Sequence, residues 1–234
     1  MAAACPGERR LFRGQDWLES MGYKVTALQA QKHNRQRVNV FLNGEFAFGL
    51  ARIVAAWLEV GQELSEEKIA QLQSQDAHET AYQQALKFMN FRQRSPAEVR
   101  RNLEEHRVSA EVIDSVLERL RQAGLVDEAR FARQWVENRN EFRPRSRRAL
   151  ALELRQRGVD EQTIARALED IDDQEIAYQA ALRKSIKINS TGWLDFRQKL
   201  SSFLARRGFP YQVISPTVRR VWEELQSNEA NGGS

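Results

Sequence analysis

The sequence predicts a mainly α-helical protein built from tandem three-helix modules, preceded by a small N-terminal β-hairpin and helix unit. The strongest indication is a six-residue pattern that occurs three times, at 103–108, 154–159 and 204–209. Apolar residues around each copy recur at intervals of three and four, which is the period of one helix face. A repeat of this length is typical of an array of small helical units that binds a partner along its surface.

The N-terminal part of the chain carries the only clear strand signals. Apolar and polar residues alternate on both sides of Asn43-Gly44, and both of these residues tolerate the positive φ of a type I′ hairpin turn. We therefore predict a small α+β unit over residues 20–75, after a flexible N-terminal segment at 1–19. Its predicted elements are strands at 23–31, 38–42 and 45–48, and helices at 50–58 and from Ser65 onward.

Helix signals alone follow from about residue 79. Ser95-Pro96-Ala97-Glu98 is a capping box with proline at the first helical position, which marks a helix start. Gly124, Gly158 and Gly208 occupy positions where helices end in a left-handed residue. The predicted modules cover residues 77–126, 127–173 and 174–226, and a disordered tail is expected at 227–234. Their leading helices are predicted at 81–91, 128–140 and 174–187, and their middle helices at 96–106, 146–157 and 193–207.

Composition limits the class of protein further. The chain has 234 residues, a net charge of +4 and an estimated pI of 9.4, which favours a polyanionic partner without proving one. A single cysteine, Cys5, excludes an internal disulfide and fits a reducing compartment. No segment has the length and apolarity of a signal peptide or a membrane span. We expect a soluble cytoplasmic protein that does not contact a membrane.

Signatures of catalysis are missing from the sequence. It contains no Gly-x-Ser-x-Gly, His-Glu-x-x-His or phosphate-binding Gly-Lys-Ser/Thr motif. The three histidines, His33, His78 and His106, lack the spacing of metal ligands. The sequence therefore predicts a protein that is not an enzyme and that has no cofactor or metal.

Basic residues form the candidate binding surface. They concentrate in the second module between 139 and 157 and continue into the third, whereas seven acids fall within 160–175. Arginine suits bidentate contact with phosphate or carboxylate groups. The alternative is that these side chains only keep helices soluble, but their segregation from the acids favours a directional field. The candidate residues for partner or DNA binding are Arg139, Arg143, Arg145, Arg147, Arg148, Arg155, Arg157, Arg197, Lys199, Arg206 and Arg207.

Four segments make the chain resemble the RecX family, the regulators of the bacterial RecA recombinase. They are 92–99 (RQRSPAEV), 124–132 (GLVDEARFA), 154–159 (LRQRGV) and 203–209 (FLARRGF), in that order. Two departures leave the local path of the chain open. The first module has His106-Arg107 where the others have Arg-Gly, and Pro144-Arg145 replaces a glycine that is frequent in the family.

The resemblance implies an elongated, curved array of three-helix modules. It also implies a partner, the helical filament that RecA forms on single-stranded DNA, with the protein lying in the filament groove and blocking extension or strand exchange. The resulting hypothesis is a monomeric negative regulator of a RecA-type recombinase in DNA repair and recombination.

Two other readings stay open. One is a direct DNA-binding protein of helix-turn-helix type that contacts single-stranded or double-stranded DNA without a recombinase. The other is a helical scaffold whose basic surface has no specific partner.

Overall fold

A computed structural model describes residues 22–231, which contain four strands and ten helices. The chain divides into two compact units, one ending at Gln83 and the other beginning at Gln84. The predicted flexible segment at 1–19 and Cys5 lie outside the described residues. The mainly helical class with a small strand-containing unit at the N-terminal end is confirmed.

The first unit contains an antiparallel sheet in the order β3-β2-β1-β4. Asn43 and Gly44 have φ values of 51° and 92°, so the predicted hairpin turn between β2 and β3 is confirmed. Val25, Val40 and Leu50 belong to three of these strands, and their side chains are fully buried in the core of this unit. The strands are β1 (Tyr23–Ala30), β2 (Arg37–Leu42), β3 (Glu45–Ala51) and β4 (Glu63–Leu64).

Two predictions for this unit were wrong. The helix expected at 50–58 is only one turn, α1 (Arg52–Ala55), because Leu50 pairs with Val38 and is buried in the sheet. Sheet pairing therefore overrides the helical spacing of the apolar residues. The helices predicted from Ser65 onward and at 81–91 are one continuous helix, α2 (Glu66–Met89), in which no glycine or proline interrupts the chain.

The second unit consists of eight further helices and the end of α2. Module 1 comprises α3, α4 and the end of α2, module 2 comprises α5 to α7, and module 3 comprises α8 to α10. The helices are α3 (Pro96–Glu105), α4 (Ala110–Gln122), α5 (Glu128–Phe142), α6 (Arg147–Gln156), α7 (Glu161–Ala167), α8 (Asp173–Ser185), α9 (Trp193–Ala205) and α10 (Tyr211–Asn231).

The middle helices of modules 1 and 2 begin at a serine cap, and all three middle helices pack through matching leucines. The capping box at Ser95 and Glu98 is formed, and the Ser146 hydroxyl accepts the Ala149 N–H. The leucines that share a repeat position are completely buried: Leu103, Leu154 and Leu204.

Helix α10 extends to Asn231, so the first residues of the predicted disordered tail are helical. The segment before residue 232 contains no glycine, and Glu229 and Ala230 are good helix formers. Residues 232–234 lie beyond the described part of the chain.

Candidate partner-binding surface

Neighbouring modules contact each other at two places, which we call joints. At each joint, the serine that caps the middle helix of one module contacts the turn that follows the middle helix of the next module. In the first joint (Ser95 and Glu98 with Arg157 and Gly158), the Ser95 hydroxyl donates to the Arg157 carbonyl at 2.5 Å. In the second joint (Pro144, Ser146 and Ala149 with Arg207 and Gly208), the Ser146 hydroxyl donates to the Gly208 carbonyl at 2.7 Å. Both serines are completely buried, and each bond joins residues 62 positions apart. The repeat therefore extends beyond the helices to the contacts between modules.

The carboxylate of Glu98 forms ion pairs and hydrogen bonds at the first joint. Glu98 Oε1 accepts hydrogen bonds from Arg92 Nη2 at 2.9 Å and from Arg157 Nη1 at 2.8 Å, and its Oε2 accepts from the Ser95 N–H at 3.1 Å. Burial works to raise the pKa of Glu98, but the hydrogen bonds from Arg92 and Ser95 and the charges of Arg92 and Arg157 lower it below its ordinary value. The first joint is thus an ion-paired contact.

The second joint has no acid at the corresponding position. Ala149 takes the place of Glu98 as the third residue of its middle helix. The Ser146 N–H therefore bonds to the Arg207 carbonyl at 3.1 Å, and Arg207 Nη1 donates to the Pro144 carbonyl at 2.9 Å. Backbone carbonyls satisfy the donors of this joint, but they do not neutralise its charge.

The turn at each joint requires glycine because a Cβ atom there would overlap the neighbouring module. Gly158 and Gly208 have φ values of 74° and 88°. A Cβ on Gly158 would lie 2.3 Å from Ala97 Cβ, and one on Gly208 would lie 2.8 Å from Ala149 Cβ. Arg107 adopts the same left-handed conformation, with φ of 60°, in the module that has no preceding module of this kind to contact. The turn of module 1 therefore has the same left-handed residue as the other two turns, although it has Arg107 where they have glycine.

Three of the candidate arginines lie around Trp135, beside the first joint. The guanidinium groups of Arg157 and Arg139 lie 3.7 Å and 4.2 Å from the centre of its ring. Its Nε1 donates to Glu153 at 2.9 Å, and the same carboxylate pairs with Arg139 and Arg145. These arginines are held by contacts within the chain.

The eleven predicted residues separate into two groups. Six are engaged in contacts within the chain: Arg139, Arg145, Arg155, Arg157, Lys199 and Arg207. Five have exposed side chains that form no hydrogen bond or ion pair with any other described residue: Arg143, Arg147, Arg148, Arg197 and Arg206. The second group is free to bind a partner.

Positive charge accumulates at the second joint. Burial lowers the pKa of Arg207, and the nearby charges of Arg145, Arg143 and Arg183 lower it further. Arg147 and Arg148 add to this surface from the first turn of α6, which contains no acid. Cations are unfavourable there because the amide groups at a helix N-terminus carry partial positive charge. The carboxylate of Asp173 compensates part of this charge, because its Oδ1 accepts the Arg147 backbone N–H at 2.6 Å. The guanidinium groups of Arg147 and Arg148 are exposed and have no ion-pair partner among the described residues.

A second basic feature lies in module 3, between the end of α8 and the middle of α9. It is an open cavity of about 510 Å³ lined by Lys184, Lys187, Lys199 and Arg206, with Asp195 as its single acid. Lys199 and Arg206 were predicted from the sequence, whereas Lys184 and Lys187 were not. Basic residues in the last turn of a helix are common for dipole reasons, so their spacing alone carried no binding signal.

Sequence reasoning also missed the joints. Ser95 and Ser146 were predicted only as residues at which helices start. Each hydroxyl also donates a hydrogen bond to a carbonyl in the turn of the next module, 62 residues further along the chain. The similar spacing between each serine and the turn glycine, 63 residues in the first joint and 62 in the second, was the available signal.

Neither a metal-binding group of His, Cys, Asp or Glu nor a helix able to span a membrane occurs between residues 22 and 231.

The fold and its surface define a class: a tandem three-helix repeat protein with a basic face. The comparisons make this specific, because four family descriptions match in order and together cover most of the chain. They are the Regulatory protein RecX N-terminal domain at 23–65 and the first, second and third three-helix domains of RecX at 81–120, 127–168 and 171–217. The chain belongs to the RecX family of regulatory proteins.

Relatives and solved structures agree. The chain is 30% identical over 216 residues to Regulatory protein RecX of Bacillus pumilus, covering 88% of this chain and 81% of that protein. The RecX of Bacillus subtilis is 31% identical over 212 residues, with coverage of 88% and 79%. A crystal structure of regulatory protein RecX superposes with a TM-score of 0.60 at 26% identity, covering 82% of this chain and 97% of that one. The fold also matches RecX from Lactobacillus salivarius, with a TM-score of 0.54 at 18% identity over 62% of this chain and 97% of that one.

Proposed function

We propose that this chain is a negative, non-enzymatic regulator of a RecA-type recombinase. It binds in the groove of the nucleoprotein filament and inhibits ATP hydrolysis, filament extension and strand exchange. Membership of a family of regulatory proteins supports this proposal, as does the accumulation of unpaired arginines around the second joint. The mechanism is steric and electrostatic.

The observation that carries the proposal is the pair Arg147 and Arg148. Both are exposed in the first turn of α6, where a cation opposes the helix dipole. Asp173 accepts the Arg147 backbone N–H, but the two guanidinium groups have no ion-pair partner among the described residues, and local features that disfavour the fold are typical of binding sites. Arg143, in the loop before α6, extends the same surface. An acidic or phosphate-bearing partner would stabilise all three guanidinium groups.

The test is a titration of DNA-dependent ATP hydrolysis by the host recombinase with the triple variant Arg143→Glu, Arg147→Glu and Arg148→Glu. We expect the concentration for half-maximal inhibition to rise by about tenfold or more, since close charge pairs at interfaces are worth a few kcal/mol. Acidic residues suit the first turn of a helix, so the fold of α6 should be retained.

A matched control carries the same change of charge elsewhere. Arg101, Arg133 and Arg166 are exposed residues on α3, α5 and α7. Their simultaneous change to Glu should leave inhibition within about twofold of the unmodified chain, allowing for long-range electrostatics. Equal loss in the two triple variants would refute this contact surface. Absence of inhibition by the unmodified chain, together with tight sequence-specific duplex binding, would favour the direct DNA-binding alternative.

A further inference from the structure

The cavity in module 3 is a basic site apart from the second joint. Its cationic lining comes from two elements, Lys184 and Lys187 near the end of α8 and Lys199 and Arg206 on or just after α9. The cavity is open to solvent and has a volume of about 510 Å³, which is ample for a phosphate group and its ester oxygens.

Charge within the cavity is only partly compensated. Lys199 Nζ donates to Asp195 Oδ2 and to the Asn189 carbonyl, both at 2.7 Å. The hydrogen bond from Lys199 lowers the pKa of Asp195, so this carboxylate stays ionised and neutralises Lys199. Lys184, Lys187 and Arg206 form no ion pair with any residue from 22 to 227. Three positive charges therefore face one cavity without an internal counter-charge.

Polar and aromatic groups add to this environment. Gln198 and Ser202, exposed on α9, line the cavity and offer further hydrogen-bond donors. Lys184 Nζ lies 5.8 Å from the centre of the Phe203 ring, a contact that holds its stem against the helix. The cavity thus presents several donors and a surplus of cations, a combination that suits an anion with many acceptor oxygens.

The surroundings of the cavity favour a polymeric ligand. Arg183 and Arg207, the sequence neighbours of Lys184 and Arg206, belong to the basic surface at the second joint. Ile186 and Leu194 lie next to the cavity-lining residues in the sequence and are 79% and 75% exposed. Exposed apolar side chains can contact the faces of unpaired bases, whereas the bases of a duplex are stacked away from the protein surface.

We propose that this cavity binds phosphate groups of a single-stranded nucleic acid backbone, through Lys184, Lys187 and Arg206. The proposal deepens the proposed function and rests on it for its setting, because it assigns the DNA strand of the filament to module 3 and leaves the arginines of module 2 for the recombinase. Binding to the strand itself needs no recombinase and is measured separately.

The experiment is fluorescence anisotropy of a labelled oligothymidine of about 20 nucleotides, titrated with the full chain at several salt concentrations. The variant carries Lys184→Gln, Lys187→Gln and Arg206→Gln, which removes charge without adding acids near a helix C-terminus. Each phosphate contact on a single strand contributes about 0.7 to the slope of log K against log salt. We expect the variant to lose about tenfold in affinity and about 2 in this slope.

The control variant changes three exposed arginines outside the cavity, Arg133, Arg166 and Arg219, to Gln and should keep both the affinity and the slope. Circular dichroism and a thermal midpoint establish that both variants fold. An unchanged slope in the cavity variant, or equal losses in the two variants, would overturn the site. A larger loss on a duplex of the same length than on oligothymidine would overturn the assignment to single strands.

The recombinase titration separates this proposal from the proposed function. If the cavity variant binds oligothymidine as the unmodified chain does while the latter inhibits ATP hydrolysis, the cavity assignment fails and the function stands. If the unmodified chain binds oligothymidine through the cavity but leaves ATP hydrolysis unchanged, the function fails and the phosphate site stands.

Discussion

The two joints between modules share their geometry and differ in charge. Each places a buried serine hydroxyl against the turn of the next module, and each turn contains a glycine with positive φ packed against an alanine. At the first joint Glu98 forms ion pairs with Arg92 and Arg157. At the second joint Ala149 takes its place, and Arg207 is left to a backbone carbonyl.

This difference separates the arginines that stabilise contacts between modules from those that are available to bind a partner. A half-buried arginine paired with a carboxylate is costly to remove because its partner is left charged and unpaired. Exposed arginines without an acid contribute little to the fold and keep their hydrogen-bonding capacity. The first joint is therefore structural, whereas the second joint combines the same structural contact with a surplus of positive charge.

The largest effect is expected from a methyl group at the first joint. Gly158→Ala should lower the free energy of unfolding by about 2–4 kcal/mol, from left-handed backbone strain and from overlap with Ala97. Urea denaturation followed by circular dichroism measures this change. Gly124→Ala, at a turn glycine with φ of 66° and no atom within 4 Å of the added Cβ, carries the backbone strain alone and should cost only about 1–2 kcal/mol. Equal losses at the two positions would show that the packing contact contributes nothing.

Removal of a joint serine should have the next largest effect. Ser95→Ala and Ser146→Ala each remove a helix cap and leave a buried carbonyl without its donor, so each should cost about 1–3 kcal/mol. Ser109 also precedes a helix, but its side chain makes no capping bond and is exposed, so Ser109→Ala is the matched control. A loss at Ser109 as large as that at the joints would contradict the assignment.

Acid should weaken the first joint selectively. The pKa of Glu98 lies below its ordinary value of 4.5, so its contribution to stability is present above that pH and is lost as the pH falls through the folded-state pKa. Urea midpoints measured from pH 7 to pH 3 should decline less steeply for Glu98→Gln than for the unmodified chain. At pH 7 this variant should be about 1–2 kcal/mol less stable, because it replaces a charge-assisted contact. Identical pH profiles would show that Glu98 does not carry the joint.

The smallest expected effect concerns Glu128 at the start of α5, away from both joints. Burial, followed by the hydrogen bond and charge of Asp160, raises the pKa of Glu128 to about 7. A carboxyl whose folded pKa is raised destabilises the fold as the pH rises from 4.5 through that value. Glu128→Gln should therefore be more stable than the unmodified chain at pH 8, with the difference disappearing near pH 5. A constant difference between the two thermal midpoints over this range would exclude the titration of Glu128.

Local signals made the module helices predictable. The capping box at Ser95, the Asn43-Gly44 turn and the repeated leucines all act within a few residues, and the structure contains each of them. Where sheet pairing competed with helical spacing, at Leu50, the prediction was wrong because the partner strand is not visible in a local pattern. The continuity of α2 was not predicted, because no local signal shows whether the helix that begins near Ser65 continues into the helix predicted at 81–91.

The candidate surface was only partly predictable for a similar reason. Composition located the arginine-rich region, but it could not separate Arg157, which pairs with an acid 59 residues away, from Arg147, which has a free side chain. That distinction depends on contacts between modules. The similar spacing between each serine and its turn glycine, 63 and 62 residues, is the sequence feature that matches those contacts.

The most direct measurement compares Arg157→Gln with the double variant Arg147→Glu and Arg148→Glu in both stability and inhibition of the recombinase. Arg157→Gln should lower the free energy of unfolding by about 1–3 kcal/mol and leave the inhibition of DNA-dependent ATP hydrolysis intact under conditions in which it is folded. The double variant should stay within about 1 kcal/mol of the unmodified chain in stability, because the favourable helix dipole is offset by repulsion from Asp173, and it should lose inhibition by about tenfold. The reverse pattern, with inhibition lost only in Arg157→Gln, would contradict the separation between the structural joint and the binding surface.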